Sequence, residues 1–350
     1  MLHRLLGRTR RKKINLALQG GGAHGAFTWG VIDHLLEDGR VDIVGVSGAS
    51  AGAVNAVMLA DGLARGGPQE ARKRLAEFWR AASIGGNLPG PQRAVVDRLL
   101  SLLPIEGTPV QYMVDAMSRF LSPYDLNPLN INPLKGLIER FVDFEAIRNH
   151  SGLDLFISAT NVHSGRLRVF QRSEINADVV MASAALPLVF RAVEIEGEPY
   201  WDGGFTGNPA ILPLIEANDV EDVLVVQISP LSRESTPTSV REILHRVNEI
   251  TFNASLDSEL RALEYIDRRA RSMKTGRGKS AGHHVNVHRI VMEGVGKKLS
   301  AASKLNTDYD FFALLHRAGR RAARRFLEEH FRDIGRRSTL DLAEVTAASA

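Results

Sequence analysis

Residues with the types and spacing for covalent chemistry gather at three places in this 350-residue chain. Gly48-Ala49-Ser50-Ala51-Gly52 is a G-x-S-x-G sequence, placed where the strand-like VDIVGVSG gives way to the helix-like ASAGAVNAVMLADGL. A serine on such a strand-to-helix elbow takes strained dihedrals, so its neighbours must be small. Gly48 and Gly52 supply that relief, and Ala49 and Ala51 add almost no bulk. Ser50 would then open a helix whose unpaired N–H groups and dipole favour developing negative charge. Nucleophilic catalysis by the serine is the chemistry that suits it.

Upstream, Gly20-Gly21-Gly22-Ala23-His24-Gly25 follows the apolar run INLALQ. Three glycines let the backbone approach a ligand and aim N–H groups inward, as an oxyanion hole requires. The same residues also fit the G-x-G-x-x-G of a dinucleotide site, with Asp42 as the ribose-binding acid. Downstream, Tyr200-Trp201-Asp202-Gly203-Gly204 closes a strand-like segment. It fits an ordinary turn, and equally a carboxylate held on a tight bend within reach of the serine hydroxyl.

The elements needed to position these groups follow from periodicity. INLALQ and VDIVGVSG are short apolar runs, each followed by a glycine turn and an amphipathic helix, and two consecutive strand-to-helix units argue for a parallel sheet covered by helices. From Ala64 to about Asn149 the chain looks helical, broken by GGNLPGPQ and SPYDLNPLNINPL, and suits an inserted cap or pocket wall. LDLFISATNV and RLRVFQRS are expected to pair as strands around His163 to Gly165, VVMASAALPLVF to form a helix stopped by Pro187, and VEIEGEPYWDGGF to form a hairpin turning at Glu196 to Glu198. VLVVQISPL is a further buried strand, and beyond Thr238 the chain is mostly helical. The run IVGVSGASAGAVNAVMLA is uncharged, but its small-residue centre makes it strand, elbow and helix, not a membrane span.

Composition narrows the chemistry. With no cysteine, thiol nucleophiles, disulfides and thiolate metal sites are excluded, leaving oxygen or nitrogen for covalent catalysis. The net charge is +4, yet Arg4, Arg8, Arg10, Arg11, Lys12 and Lys13 in residues 1–13 account for +6 with no acid against them, so the remainder is −2. The pI of 9.4 therefore describes a basic tail and not a basic fold. That tail lacks the apolar core of a secretory signal and suits either solvent or anionic head groups.

Taken together, the three motifs resemble those of the patatin-like phospholipases, serine lipid acyl hydrolases that use a Ser-Asp dyad. GGGAHG, GASAG and DGG occur in that family's order, supported by ASAALPLVF and by Asn208-Pro209 after the acid, over about Ile14 to Leu214. The resemblance implies a three-layer α/β/α sandwich with a mostly parallel central sheet, here with a helical C-terminal extension. It implies Ser50 as nucleophile, Asp202 as base, and backbone N–H groups of Gly20, Gly21, Gly22 and Ala51 as the oxyanion hole, with Gly25, Gly48, Gly52, Gly203 and Gly204 supporting the motifs. It implies a lipid or acyl-ester substrate, no metal or organic cofactor and no nucleic acid. Two departures stand out: His24 where an arginine is common, and Gln19 where an acid or small residue is frequent. The expected organisation is a basic tail over 1–13, a catalytic core over 14–214 and an extension over 215–350 packed on the same domain. The expected location is cytoplasmic, at most peripheral to a lipid surface, with no signal peptide or membrane-spanning helix.

Three other readings compete. A Ser-Asp-His esterase would draw on His283, His284 or His288. A nucleotide-binding or regulatory protein would use the glycine loop or MKTGRGKS, although Met273 stands where a phosphate-binding loop needs glycine. A lipid-surface interaction protein would use the Phe311 to Phe331 helix, with Arg317, Arg320, Arg321, Arg324 and Arg325 beside Phe311, Phe312, Leu314 and Leu315.

Overall fold

The structure, a computed structural model, describes residues 11–83, 122–127, 129–130, 132–233, 236–273, 285–292, 303–304 and 306–342. Five strands form a parallel ladder in the order β3 (Asp154–Asn161), β2 (Val41–Gly48), β1 (Lys12–Leu18), β7 (Asp222–Gln227) and β8 (Asn286–Val291). Beyond β3 lie antiparallel additions: β4 (Leu167–Gln171), and the hairpin of β5 (Val193–Ile195) with β6 (Glu198–Asp202). Glu196 and Gly197 turn that hairpin with φ of 53° and 81°, the left-handed pair that a two-residue turn matching strand twist requires.

Both faces of the sheet are covered, and the side-chain period of two shows it. Leu16, Leu18, Leu224 and Val226 enter one apolar cluster with α1 (Gly25–Asp38), α2 (Ala51–Gly66), α3 (Pro68–Ala81) and α10 (Tyr309–His330). The intervening Ala17, Val223 and Val225 enter the other, against α8 (Leu212–Ala217) and α9 (Val240–Met273). Strands buried on two sides are apolar throughout, which is why INLALQ and VLVVQ show no alternation. The result is the expected three-layer sandwich with a mostly parallel central sheet. Among the described residues, four further helices, α4 (Pro123–Leu126), α5 (Pro133–Phe141), α6 (Phe144–Asn149) and α7 (Ala177–Ser183), lie on the chain between α3 and the hairpin.

Three expectations change. β1 begins at Lys12, so the tail ends two residues early. Lys12 Nζ donates to the carbonyls of Phe331 (2.8 Å) and Ile334 (2.6 Å), capping the chain end that follows α10. α7 ends at Ser183, four residues before Pro187, which has no N–H to give the Ser183 carbonyl; that carbonyl accepts from Ser50 N–H instead. The apolar side of α10 is core: Phe312, Leu315, Ala323, Phe326 and Leu327 are buried, and Arg320 pairs with Asp33 and Glu37 of α1. That helix offers no free apolar stripe to a lipid surface.

Candidate active site

All parallel strands end along one edge of the sheet, where crevices form in such folds. Ser50 emerges there after β2, with φ 54° and ψ −123°, in the sparsely populated region expected of an elbow. Such a conformation costs on the order of 1–3 kcal/mol and persists only where surroundings impose it. Here Ser50 N–H donates to both the carbonyl and Oγ of Ser183, at 3.1 and 2.9 Å. The small neighbours are required by contact: a Cβ on Gly48 would meet Gly52 C at 2.5 Å, and one on Gly52 would meet the Leu18 carbonyl oxygen at 2.1 Å. Gly52→Ala is therefore expected to lower unfolding stability by about 3 kcal/mol in urea titration, since backbone cannot yield as a side chain can. The Ser50 hydroxyl makes no capping bond to α2, so it stays available at a helix start whose first N–H groups lack intrahelical partners.

Strand register brings the acid to this edge. Gly48 pairs with Ile157, and two residues further along β3 Ala159 pairs with Asp202. Asp202 is fully buried, and Gly204 N–H donates to its Oδ1 at 2.7 Å. The second glycine is needed for this turn, because a Cβ there would meet the Phe252 ring at 1.9 Å. Oδ2 has no hydrogen bond of ordinary geometry, although the Ser50 hydroxyl is near enough to favour the charged form. Burial dominates the acid's titration: desolvation pushes its pKa up to about 7, against the Gly204 N–H, Ser50 and Lys304, which all pull it down.

Within the glycine loop the N–H groups are not equivalent. Gly20 N–H donates to Asn208 Oδ1 at 2.6 Å, so it is committed and cannot also serve an oxyanion, contrary to expectation. Gly21, Gly22 and Ala51 have no backbone acceptor for their N–H groups among the described residues and flank the same cavity as Ser50. Gly22 takes φ 60°, and a Cβ there would strike the Lys304 carbonyl oxygen at 2.4 Å. Both departures acquire structural roles. Gln19 Oε1 accepts from Ile228 and Ser229 N–H at 2.9 and 2.8 Å, while its Nε2 donates to Asn253 at 2.8 Å. It ties the end of β1 to the end of β7 and to α9. His24 is buried against Ser303, with Nε2 2.8 Å from Oγ, and burial followed by the charge of Lys304 lowers its pKa to about 4. It is therefore a neutral anchor at physiological pH.

Ser50 and Asp202 open into a cavity of about 380 Å³, largely apolar. The 64–149 region supplies a wall of it through Phe78, Trp79, Leu134 and Leu137; residues 84–121 lie outside the described ones. Several contributors carry no sequence signal of their own. Asn55 donates to the Gly25 and Ala51 carbonyls at 3.0 Å each and accepts from Trp79 Nε1 at 3.0 Å, tying the loop to α2 and the wall. Phe252 and Lys304 come from the extension, distant in sequence from every motif. Asn208 alone has a sequence signal, its neighbour Pro209.

The competing arrangements find no support in position. His288 lies buried in β8, with Nε2 2.9 Å from Asp222 and Nδ1 3.0 Å from Thr339, and no histidine is among the described residues lining the cavity. His283, His284 and most of MKTGRGKS, residues 274–280, lie outside the described residues. Asp42 pairs with Lys13 at the start of β2, the opposite end of the sheet from the glycine loop, so it cannot act as a ribose-binding acid there.

The profile of the patatin-like phospholipases matches residues 16–215, which include the elbow, the glycine loop and Asp202. The chain belongs to the patatin-like phospholipase family. The family makes it a lipid hydrolase. No curated protein matches it. Among solved structures it is similar to VipD from Legionella pneumophila, at 20% identity over 88% of this chain and 67% of that one, with a TM-score of 0.36. It is also similar to the full-length ExoU, solved with SpcU, from the type III secretion system of Pseudomonas aeruginosa: 16% identity, 97% and 78% coverage, TM-score 0.26. Both likenesses concern the fold and carry no argument about activity.

Proposed function

We propose that this protein hydrolyses lipid acyl esters through an acyl-enzyme on Ser50, with Asp202 as the proton acceptor. Ser50 Oγ attacks the acyl carbon while its proton passes to Asp202 Oδ2. The tetrahedral oxyanion takes N–H groups of Gly21, Gly22 and Ala51, beside the start of α2. Collapse expels the alcohol, which leaves with the proton from Asp202. Water then attacks the acyl group while Asp202 again accepts a proton; the second tetrahedral intermediate expels Ser50 Oγ, which takes that proton from Asp202, and the fatty acid departs. The observation that carries this reading is the pairing of a strained, uncapped serine with a buried carboxylate oxygen that has no formed hydrogen bond. A carboxylate at its usual pKa of about 3.9 is a weak base, and raising it toward neutrality is how burial fits it to the task.

The cavity wall suits an acyl chain, and the surface beside it suits a lipid source. Leu188 is 85% exposed and Val189 46%, between Leu186 and Phe190 that line the cavity. These are the residues that would meet a lipid surface during substrate entry. Among the described residues no helix is long and apolar enough to cross a membrane. The function is tested by mass spectrometry of a mixed lipid extract after incubation with wild type and with Ser50→Ala. Release of free fatty acid by wild type alone supports it, and equal release by both removes it.

A further inference from the structure

Asp202 and Lys304 are the two charged side chains among the described residues lining the active cavity. The acid has a role in the chemistry proposed above, and the lysine has none. Lys304 is mostly buried, directly after Ser303, which holds His24, and its backbone lies against Gly22 of the glycine loop. Its Nζ stands 6.0 Å from the centre of the Phe252 ring and makes no hydrogen bond or ion pair among the described residues. The nearest acid of α9, Glu249, is already held by Arg233, at 2.5 Å, and Arg246, at 3.3 Å. Glu249 and Asp202 therefore act on Lys304 only through space.

An ammonium in an apolar cavity without a contacting anion is costly to keep. The cost is relieved if the substrate brings the anion. The glycine loop cannot do this work, because His24 is a neutral anchor with its ring directed at Ser303. We propose that Lys304 is a specificity-determining residue that binds the phosphate of a phospholipid substrate while its acyl ester lies at Ser50. This inference rests on the hydrolase reading above and adds to it the residue of this chain that would discriminate phosphate-bearing from uncharged acyl esters.

The test compares lysophosphatidylglycerol with a monoacylglycerol of the same acyl chain, using wild type, Lys304→Met and Lys304→Arg. Methionine keeps the apolar stem and removes the charge. The quantity read is the ratio of kcat/KM between the two substrates, in which any effect of the lysine charge on Asp202 cancels. The ratio is expected to fall about 10- to 100-fold in Lys304→Met, the range for losing a charged hydrogen-bond partner, mainly through KM. Lys304→Arg should restore most of it. An unchanged ratio in Lys304→Met, or a wild type that cleaves only the monoacylglycerol, would overturn the phosphate assignment while leaving the hydrolase reading intact. If Ser50→Ala matched wild type on both substrates, the hydrolase reading itself would fail. Inorganic phosphate at millimolar concentration, lacking an acyl chain, should not slow monoacylglycerol turnover; inhibition seen in wild type and lost in Lys304→Met would reassign the site to free phosphate and overturn the headgroup role.

Discussion

Ser50→Ala is expected to lower kcat on an activated ester such as a p-nitrophenyl acyl ester by about 10⁴-fold or more, with the fold unchanged. The size follows from losing the proposed nucleophile oxygen; the residual rate would come from the oxyanion donors and binding alone. The fold should survive because the Ser50 hydroxyl makes no capping bond, while the backbone contacts that impose its dihedrals, to Ser183 and within the elbow, involve only main-chain atoms of residue 50. The expected change in unfolding free energy is within about 0.5 kcal/mol. Steady-state kinetics paired with denaturant unfolding checks both halves. Retained turnover in a folded Ser50→Ala protein would remove the nucleophile from the account.

Asp202→Asn should separate activity from stability more sharply. An amide cannot accept the serine proton, and a loss of about 10³- to 10⁴-fold in kcat is expected, as for other interrupted proton relays. The wild-type rate should depend on the same group: kcat/KM rises with pH as Asp202 ionises and levels off above about 7, where the carboxylate is fully formed. Stability runs in the opposite direction. The acid's pKa is raised in the folded state, so below about 4 both states hold the proton and nothing is lost. Between about 4 and 7 the unfolded chain has released its proton and the folded chain has not, so folding grows less favourable as pH rises. Above about 7 the penalty is constant, on the order of 4 kcal/mol for three units of pKa. Asparagine carries no such penalty, so the Asn variant should be more stable than wild type at pH 8 and nearly equal at pH 4. Thermal unfolding of both proteins across that range measures it, and a pH-independent difference would contradict the buried charge.

The motifs were legible in the sequence because their constraints are local. An elbow needs small residues on both sides of the serine, and the close contacts at Gly48 and Gly52 are the reason. The glycine loop and the Asp-Gly-Gly turn are short-range features in the same sense, and the apolar strands announced a doubly covered sheet. What could not be read depends on residues that meet only after folding. Lys304, Phe252 and Asn253 approach the site from the extension, where nothing in their neighbourhood suggests chemistry. The commitment of Gly20 N–H to Asn208 follows from the tertiary path of the segment after the acid, and so the loop seemed to offer one more donor than it has. The 311–331 helix shows the opposite limit: an amphipathic pattern with arginines fits a lipid surface and a protein core alike, and Asp33 and Glu37 on α1 decide for the core.

The central claim is that Ser50 is a nucleophile activated by Asp202, and covalent trapping addresses it most directly. Wild type, Ser50→Ala and Asp202→Asn are incubated with a long-chain alkyl fluorophosphonate, and the site and rate of adduct formation are followed by peptide mass spectrometry. A single adduct on Ser50 in wild type, none in Ser50→Ala, and labelling slowed by about 10³-fold in Asp202→Asn is the predicted result. An adduct on another residue, or labelling of Asp202→Asn at the wild-type rate, would contradict it.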